Sequence, residues 1–143
     1  MQASPTTENA MPMINVTLSG PSPEPAVIHR LQAGVTRLMQ DILRKEAALT
    51  VVNVLHLPPG ASSANGQPVG TAASLQAMIT AGTNSAAEKA DFIFAAKSLL
   101  TVEFGPSAAP IYVVLHEIPA ESWGYDGQTQ AARKAGRLIG GAA

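Results

Sequence analysis

Two histidines stand out among the side chains that could do chemistry, because they recur in nearly the same setting. The segments Val54–Pro59 and Val114–Pro119, VLHLPP and VLHEIP, lie 60 residues apart and place His56 and His116 at matching positions. A recurring histidine could transfer a proton or ligate a metal, but no carboxylate spacing completes a metal triad, so structural histidines are favoured and no metal site is expected. Asn53 and Tyr112 lie in the same predicted strands, and their side chains could donate hydrogen bonds to a substrate oxygen.

Other familiar catalytic arrangements are missing from the sequence. It contains no cysteine, which removes disulfides, thiol catalysis and thiolate metal sites together. The stretch from Gly60 to Gly70 lacks the strand-then-helix context and the lysine of a phosphate-binding loop. The sequence therefore offers no motif for a phosphate-binding, Ser-His-Asp or zinc-dependent activity.

The composition predicts a single domain with a weakly charged surface. A chain of 143 residues can form one compact domain but not two independent ones, and 46% hydrophobic with only 13% charged residues favours oligomer contacts. The net charge of −1 provides no electrostatic attraction for nucleic acid or an acidic membrane. With no signal peptide and no apolar stretch of the ~20 residues that span a membrane, a cytoplasmic protein is expected.

The recurring segments indicate an internal duplication, and half a sheet must take its missing edges from its copy or from another subunit. The first residues are small, polar and patternless, and a Pro- and Gly-rich joint in mid-chain predicts an arc over the sheet or a hairpin. We expect a flexible leader at 1–11 and then one domain at 12–143. The domain is divided into repeat one (12–59), a linker (60–72), repeat two (73–130) and a C-terminal tail (131–143).

The first repeat reads as a βαβ unit. Alternation over Met13–Leu18 predicts a strand. A helix is expected from Ser22, as its cap, with Pro23 in the first turn, to about Glu46. The run Leu49–Leu57 predicts a strand buried on both faces and parallel to the first. The helix has an apolar stripe formed by Val27, Leu31, Val35, Leu38 and Ile42.

The second repeat follows the same order. A strand is predicted over Leu75–Thr80, and Ser85 with Glu88 makes a capping box for a second helix. The run Pro110–Ile118 mirrors the strand at Leu49. The expected face of this helix consists of Ala86, Ala90, Ile93, Lys97 and Leu100. The predicted fold is α/β (α+β), with a four-stranded, mainly parallel sheet and both helices on one face.

These features together resemble the tautomerase superfamily, typified by 4-oxalocrotonate tautomerase. The resemblance rests on the early Pro12–Val16 (PMINV), on Gly20, on Leu49–Val54 and on the closing Trp123–Gly127 (WGYDG), within a likeness from Met11 to about Gln130. In that family one βαβ unit has about sixty residues, so the chain looks like a fused two-repeat member. The resemblance implies assembly as a trimer.

The resemblance also implies a mechanism that needs no cofactor. A proline at the mature N-terminus is a secondary amine, and nearby cations can lower its pKa until it is a neutral base near pH 7. Pro12 matches that proline, and the expected reaction is a proton shift in an enol or a 2-oxo acid. As written, however, Pro12 follows Met11 and its nitrogen is an amide, so catalysis requires removal of the leader.

Other site residues carry over with alternatives open. Glu117 matches an acid of some fused members, with Leu57 as its first-repeat counterpart, and reads equally as a surface carboxylate. Trp123 matches an aromatic wall over the substrate, or it packs at a subunit interface. The carboxylate-binding arginines of the family are absent, so a neutral or monoacidic carbonyl compound is expected. The first helix carries Arg30, Arg37 and Arg44. These arginines could supply a cation to the site or form a solvated face of the helix.

Two hypotheses follow. The first is an isomerase of the keto-enol tautomerase type that acts on a small carbonyl or enol substrate through Pro12. The second is a non-catalytic oligomeric binding protein on the same scaffold, with its proline blocked by the leader. In either case we expect a homotrimer that buries the open face of the sheet.

Overall fold

The structure, a computed structural model, describes residues 11–138. Its strands and helices are β1 (Met13–Ser19), α1 (Pro25–Asp41), β2 (Val51–Leu57), β3 (Ser63–Ala64), β4 (Gln67–Pro68), β5 (Ala72–Thr80), α2 (Ala86–Phe104), β6 (Tyr112–Ile118), β7 (Gly124–Tyr125), β8 (Gln128–Thr129) and α3 (Gln130–Leu138). A 3-10 turn at Ala47–Leu49 precedes β2. Residues 1–10 of the expected leader and 139–143 of the expected tail lie outside the described residues.

The main sheet has four strands in the order β2-β1-β5-β6. β1 pairs with β2 in parallel and β5 pairs with β6 in parallel, whereas the central pair, β1 and β5, is antiparallel. Both α1 and α2 pack on the same face. The expected four-stranded sheet with two helices on one face is confirmed. It is mixed because the two βαβ units meet edge to edge in opposite directions.

The hydrophobic core lies between the sheet and the two helices. Every second residue of the central strands points under the helices and is fully buried: Ile14, Val16, Leu18, Leu75, Ala77 and Ile79. The helices bury Leu31, Val35, Met39, Phe92, Ala96 and Leu100 against them. Each large aliphatic or aromatic side chain contributes about 1.5–3 kcal/mol by leaving water, so this layer holds the sheet and helices together.

The start of α1 differs from the prediction. Ser22 and Pro23 both precede the helix, whose N-cap is Glu24 and whose first residue is Pro25. No side chain caps this end. A proline is favoured as the first helical residue, since the N–H that it lacks has no partner there anyway, and Pro25 rather than Pro23 takes that position.

The end of α1 also differs. The helix stops at Asp41 instead of Glu46, because Arg44 adopts a left-handed φ of 60° that reverses the chain. The backbone N–H of Lys45 donates to the carbonyl of Met39 at 3.0 Å and closes this turn. The apolar stripe is confirmed, with Leu31 and Val35 fully buried and the other three members packed beside the core.

The capping box of α2 is confirmed. The Ser85 hydroxyl accepts from the Glu88 N–H at 3.1 Å, and the Glu88 carboxylate accepts from the Ser85 N–H at 2.9 Å. The buried face is different from the predicted one, however, since it consists of Phe92, Ala96 and Leu100. The periodic pattern misled because α2 carries apolar residues all round, so that more than one face could be drawn through it.

The two repeats are related by an offset of 61 residues. Glu24 and Ser85 are equivalent N-caps, and Gly20 and Ala81 donate equivalent hydrogen bonds to the ends of β2 and β6. The hairpin β3–β4 has its equivalent in β7–β8. Their turn residues all have positive φ: Asn65, Gly66, Asp126 and Gly127. The expected hairpin in the linker is therefore confirmed, and it occurs twice.

This offset corrects the predicted equivalence of the histidines. His56 pairs with Leu18, whose side chain is buried under the helices, whereas His116 pairs with Met78 on the opposite face. Because successive strand residues point to opposite faces, a difference of one residue separates them. The structural equivalent of Glu117 is His56, not Leu57.

One face of the sheet is open in the single chain. β2 and β6 are the edge strands, and in the single chain each has one uncovered face, the face that was predicted to pack on another subunit. The exposed fractions are 54% for Val51, 47% for Leu55 and 70% for Tyr112, which lie on the face away from the helices. Within residues 11–138, no helix has the length and apolar character needed to cross a bilayer.

Candidate active site

Pro12 lies at the head of β1, where the strand enters the sheet. Its carbonyl accepts the last hydrogen bond of the β1–β2 ladder, from the Val51 N–H at 3.5 Å. The register continued by one residue places Pro12 beside Ile79 of β5. Pro12 is buried, and Met11, which precedes it, is 4% exposed. The nitrogen of Pro12 is therefore enclosed and joined to Met11 in a peptide bond.

Glu117 lies in the same row of the sheet as Pro12. It pairs with Ile79 from the other side, so two strand spacings, about 10 Å, separate the backbones of Pro12 and Glu117. Ile79 points into the core, and Glu117 shares its face, where its carboxylate accepts from Lys89 of α2 at 2.9 Å. This acid thus lies on the helix face of an edge strand, where it is exposed and paired with Lys89.

A buried lysine, which the sequence analysis missed, lies in the same region. Lys45 is 1% exposed, and its ammonium donates to the Thr83 hydroxyl at 2.9 Å. Burial and the neighbouring Arg44 lower the pKa of Lys45 to about 8, while Glu88 and Glu117 act in the opposite direction.

The sequence did not reveal Lys45 because it sits in a run of charges, Arg44-Lys45-Glu46, at an expected helix end. Such a run usually faces water. The left-handed turn at Arg44 aims the lysine inward instead. Nothing in the sequence around Lys45 distinguishes it from the other charged residues of α1 and of the turn that follows the helix.

Arg30 and Arg37 lie away from this row, whereas Arg44 adjoins Lys45 in the turn after α1. Arg30 pairs with Glu103 at 2.7 Å, and Arg44 pairs with Glu88 at 2.9 Å. The Arg44 guanidinium and the Ser85 N–H hold the pKa of Glu88 at about 2. Arg37 is exposed on α1. Lys45 is buried at the Pro12 end of the sheet, and it shares that end with Arg44 and Lys89, which are paired with carboxylates.

Trp123 also lies at this end. Its indole N–H donates to the Thr80 hydroxyl at 3.2 Å, and Thr80 follows Ile79, the neighbour of Pro12. The equivalent contact in the other half joins Ser62 and Ser19 at 2.5 Å. Trp123 is partly buried, and its partner Thr80 points to the face of the sheet opposite that of Ile79.

The two remaining predicted residues lie elsewhere in the chain. Asn53 is near the middle of β2, where its amide donates to Asn15 at 3.0 Å on the open face. Tyr112 begins β6, five residues or roughly 16 Å along the strand from Glu117. The structure places Pro12, Glu117 and Trp123 at the same end of the sheet, but Glu117 lies on the helix face and Trp123 contacts Thr80 on the opposite face, and Asn53 and Tyr112 lie farther along the strands. In the described part of the chain, no group of three or more His, Asp or Glu side chains could hold a metal ion.

Comparison with known proteins bears on the fold. No protein-family model matches the sequence, and no curated protein matches it. Pt0534 inactivated by 2-oxo-3-pentynoate is 16% identical, with a TM-score of 0.76 over 84% of this chain and 97% of that one. Native fused 4-OT is 21% identical with a TM-score of 0.73 over the same shares. A macrophage migration inhibitory factor-like protein from Entamoeba histolytica is 18% identical, with a TM-score of 0.70 over 83% and 98%.

The chain shares the fold of these three proteins. The resemblance predicted from the sequence is confirmed at the level of the fold, and the matched structures span both repeats. In this shared fold, Pro12 precedes the first strand of the first repeat, and the register gives Ala73 the equivalent place in the second.

The second repeat has an open pocket where the first has Met11 and Pro12. This pocket has a volume of about 380 Å³ and lies beside the hairpin β3–β4. Ala72 and Ala73 line it, together with Ser19, Ser62 and Tyr112. Two small side chains thus line open space in one half of the fold, at the place that Met11 and Pro12 occupy in the other half.

Proposed function

We propose that this protein is a cofactor-independent tautomerase in which Pro12 transfers a proton within a small enol or 2-oxo compound. The observation that carries the proposal is the position of Pro12 at the head of β1, in a row with Glu117 and at the same end of the sheet as Lys45. A free secondary amine at this point would have a cation and an acid near it, as a proton shift requires.

Lys45 supplies the electrostatic part of the proposed site. With a pKa of about 8 it is mainly protonated at pH 7, so it places a positive charge in a poorly solvated region. That charge lowers the pKa of a nearby amine and stabilises the enolate oxygen that develops when a proton leaves carbon. Glu117 is the proposed second acid–base group, and Trp123 is proposed to cover the substrate.

The inactivator bound in one structural neighbour supports this chemistry. Pt0534 is inactivated by 2-oxo-3-pentynoate, a 2-oxo acid with a triple bond conjugated to its carbonyl. Such a compound accepts a nucleophile at its alkyne carbon, and an unprotonated amine is a suitable nucleophile. We propose the same substrate class, small 2-oxo acids and their enols, for this chain.

Activation requires cleavage between Met11 and Pro12. An amide nitrogen has no basic lone pair, so the proline can act only as a chain terminus. Removing the residues up to Met11 also empties the space that Met11 fills. The equivalent space beside Ala73 is an open pocket of about 380 Å³, and we expect the emptied space to be of similar size. Cleavage would thus create the base and its substrate cavity together.

A specific observation favours a second candidate function. Met11 is almost completely buried beside Pro12, as expected of a residue that belongs to the folded domain. If it is retained, the chain is a non-catalytic binding protein that assembles through its open sheet face. In both cases we propose a homotrimer, since fused 4-OT structures of similar fold form trimers.

The deciding experiment compares two forms of the protein, one beginning at Pro12 and one carrying the whole sequence. Each is incubated with 2-oxo-3-pentynoate and digested, and the adduct is located by mass spectrometry. We expect one adduct on Pro12 of the trimmed form, none on the full form, and enol-to-keto conversion of an aryl pyruvate by the trimmed form alone. Pro12→Ala should lower that rate by roughly 10²–10⁴. Equal rates with and without the leader would refute the proline mechanism.

A further inference from the structure

The outer side of α2 carries large apolar side chains that no other part of residues 11–138 covers. Phe94 is 76% exposed and Val102 is 79% exposed, although α2 already buries Phe92, Ala96 and Leu100 on its inner side. The outer side of α1 is polar by contrast, with exposed His29, Arg30, Arg37 and Gln40. A helix that is apolar on both sides usually has a second packing partner.

The residues around Phe94 are arranged with an internal symmetry. Along the exposed face, the positions three, four and seven residues to either side of Phe94 fall on one stripe. The positions at four and seven residues carry small side chains, whereas those at three residues carry opposite charges. In chain order the stripe reads Ala87, Ala90, Asp91, Phe94, Lys97, Ser98 and Thr101.

The two hydroxyl groups of this stripe are already engaged within α2. The Ser98 hydroxyl donates to the Phe94 carbonyl at 3.1 Å, and the Thr101 hydroxyl donates to the Lys97 carbonyl at 3.0 Å. They therefore need no partner from outside and can be covered without losing a hydrogen bond. The stripe offers a contacting helix an apolar centre and small flanks that allow close approach.

We propose that this stripe is a self-association surface on which α2 of a second copy packs antiparallel, about a twofold axis at Phe94. In that arrangement the two Phe94 rings meet at the centre. Asp91 of each copy faces Lys97 of the other, so that both charges on each copy are complemented. A twofold contact is self-complementary only if opposite charges lie at equal distances from its axis, and Asp91 and Lys97 meet that condition.

This surface is separate from the open face of the sheet, which lies on the other side of the molecule. The two contacts can therefore form at the same time. The α2 contact would join two copies of whatever assembly the sheet face builds, and its loss would halve the mass without affecting that assembly or the Pro12 region.

The test is sedimentation velocity of the full chain over a range of concentrations. We expect wild type to populate a species of twice the mass of its smallest stable assembly. Phe94→Glu should raise the dissociation constant of this doubling by at least ~30-fold, as loss of a central aromatic anchor does. Ala33→Glu, which adds the same charge on the exposed side of α1, should leave it unchanged. Circular dichroism would verify that each variant is folded.

Charge reversal tests the antiparallel register itself. Asp91→Lys and Lys97→Asp each place like charges opposite one another and should weaken the doubling by roughly tenfold, whereas the double variant should restore it. The proposal is overturned if wild type shows no doubled species, if Phe94→Glu leaves doubling intact, or if the double variant is no stronger than the single ones.

Discussion

Lys45 is the residue whose environment makes the sharpest prediction. An unfolded lysine titrates near 10.5, but burial lowers the pKa of Lys45 to about 8 in the folded chain. Between these values the unfolded state binds more protons, so this group makes the folded state more stable as the pH rises from 8 to 10.5. Below pH 8 both states are protonated and the cost of the buried charge is constant.

Replacing Lys45 with Met should remove this dependence. The unfolding free energy of wild type should rise relative to that of Lys45→Met by up to roughly 3 kcal/mol between pH 8 and 10.5, as expected for a shift of this size. Urea unfolding at several pH values measures the difference. Lys134→Met, which removes an exposed lysine of α3, is the control. Parallel pH curves for wild type and Lys45→Met would contradict the buried-charge account.

At the residue scale, sequence reasoning found part of the candidate site. Pro12 and Trp123 could be proposed because each sits in a short motif of a known superfamily. Lys45 could not, since its burial depends on a left-handed turn at Arg44, and a non-glycine residue gives little warning of such a turn. The separation of Tyr112 from Pro12 depends on strand direction, which is a property of the whole sheet.

The paired hairpins make a prediction at the scale of elements. Asn65-Gly66 and Asp126-Gly127 have positive φ at both turn positions, which is the preferred geometry for two-residue hairpins. Gly66→Ala and Gly127→Ala should each cost about 1 kcal/mol of unfolding free energy from backbone strain alone, since a Cβ would meet no atom within 4 Å. Gly70→Ala, also in open space but without positive φ, should cost nothing measurable. An equal loss at all three positions, measured by denaturant unfolding, would exclude backbone strain as the cause.

The same hairpins contain the signal that would have given the repeat its true register. The tripeptides Asn65-Gly66-Gln67 and Asp126-Gly127-Gln128 lie 61 residues apart, whereas the histidine segments lie 60 residues apart. The histidines are the more visible match and the misleading one, because strands tolerate similar residues on either face. Turn residues are the more reliable marker, since their positive φ ties residue type to position.

At the scale of the whole molecule, the open sheet face should drive association. Exposed apolar residues on this face include Val51, Leu55 and Met13. Leu55→Glu should break the expected trimer and leave the monomer and its α2-linked pair, because it would bury a charge in an apolar contact. Sedimentation velocity measures this, with Ala33→Glu on α1 as the control. A trimer that survives Leu55→Glu would place the interface elsewhere.

The order of the strands and helices, and the faces that β1 and α1 bury, could be predicted from the sequence, because strand alternation and the α1 stripe are local patterns. It did not predict the central antiparallel pair, which results from two units joining edge to edge. It did indicate that the second face of the sheet needs a partner, because the apolar runs of β2 and β6 are longer than one buried face requires.

The covalent link between the repeats has a chemical consequence. A basic backbone amine can exist only at the start of a chain, so the first residue of the second repeat is an ordinary amide whatever its type. A proline at the position of Ala73 could not act as the base proposed for Pro12. The proposed site therefore draws unequally on the two halves, with Lys45 from the first and Glu117 from the second.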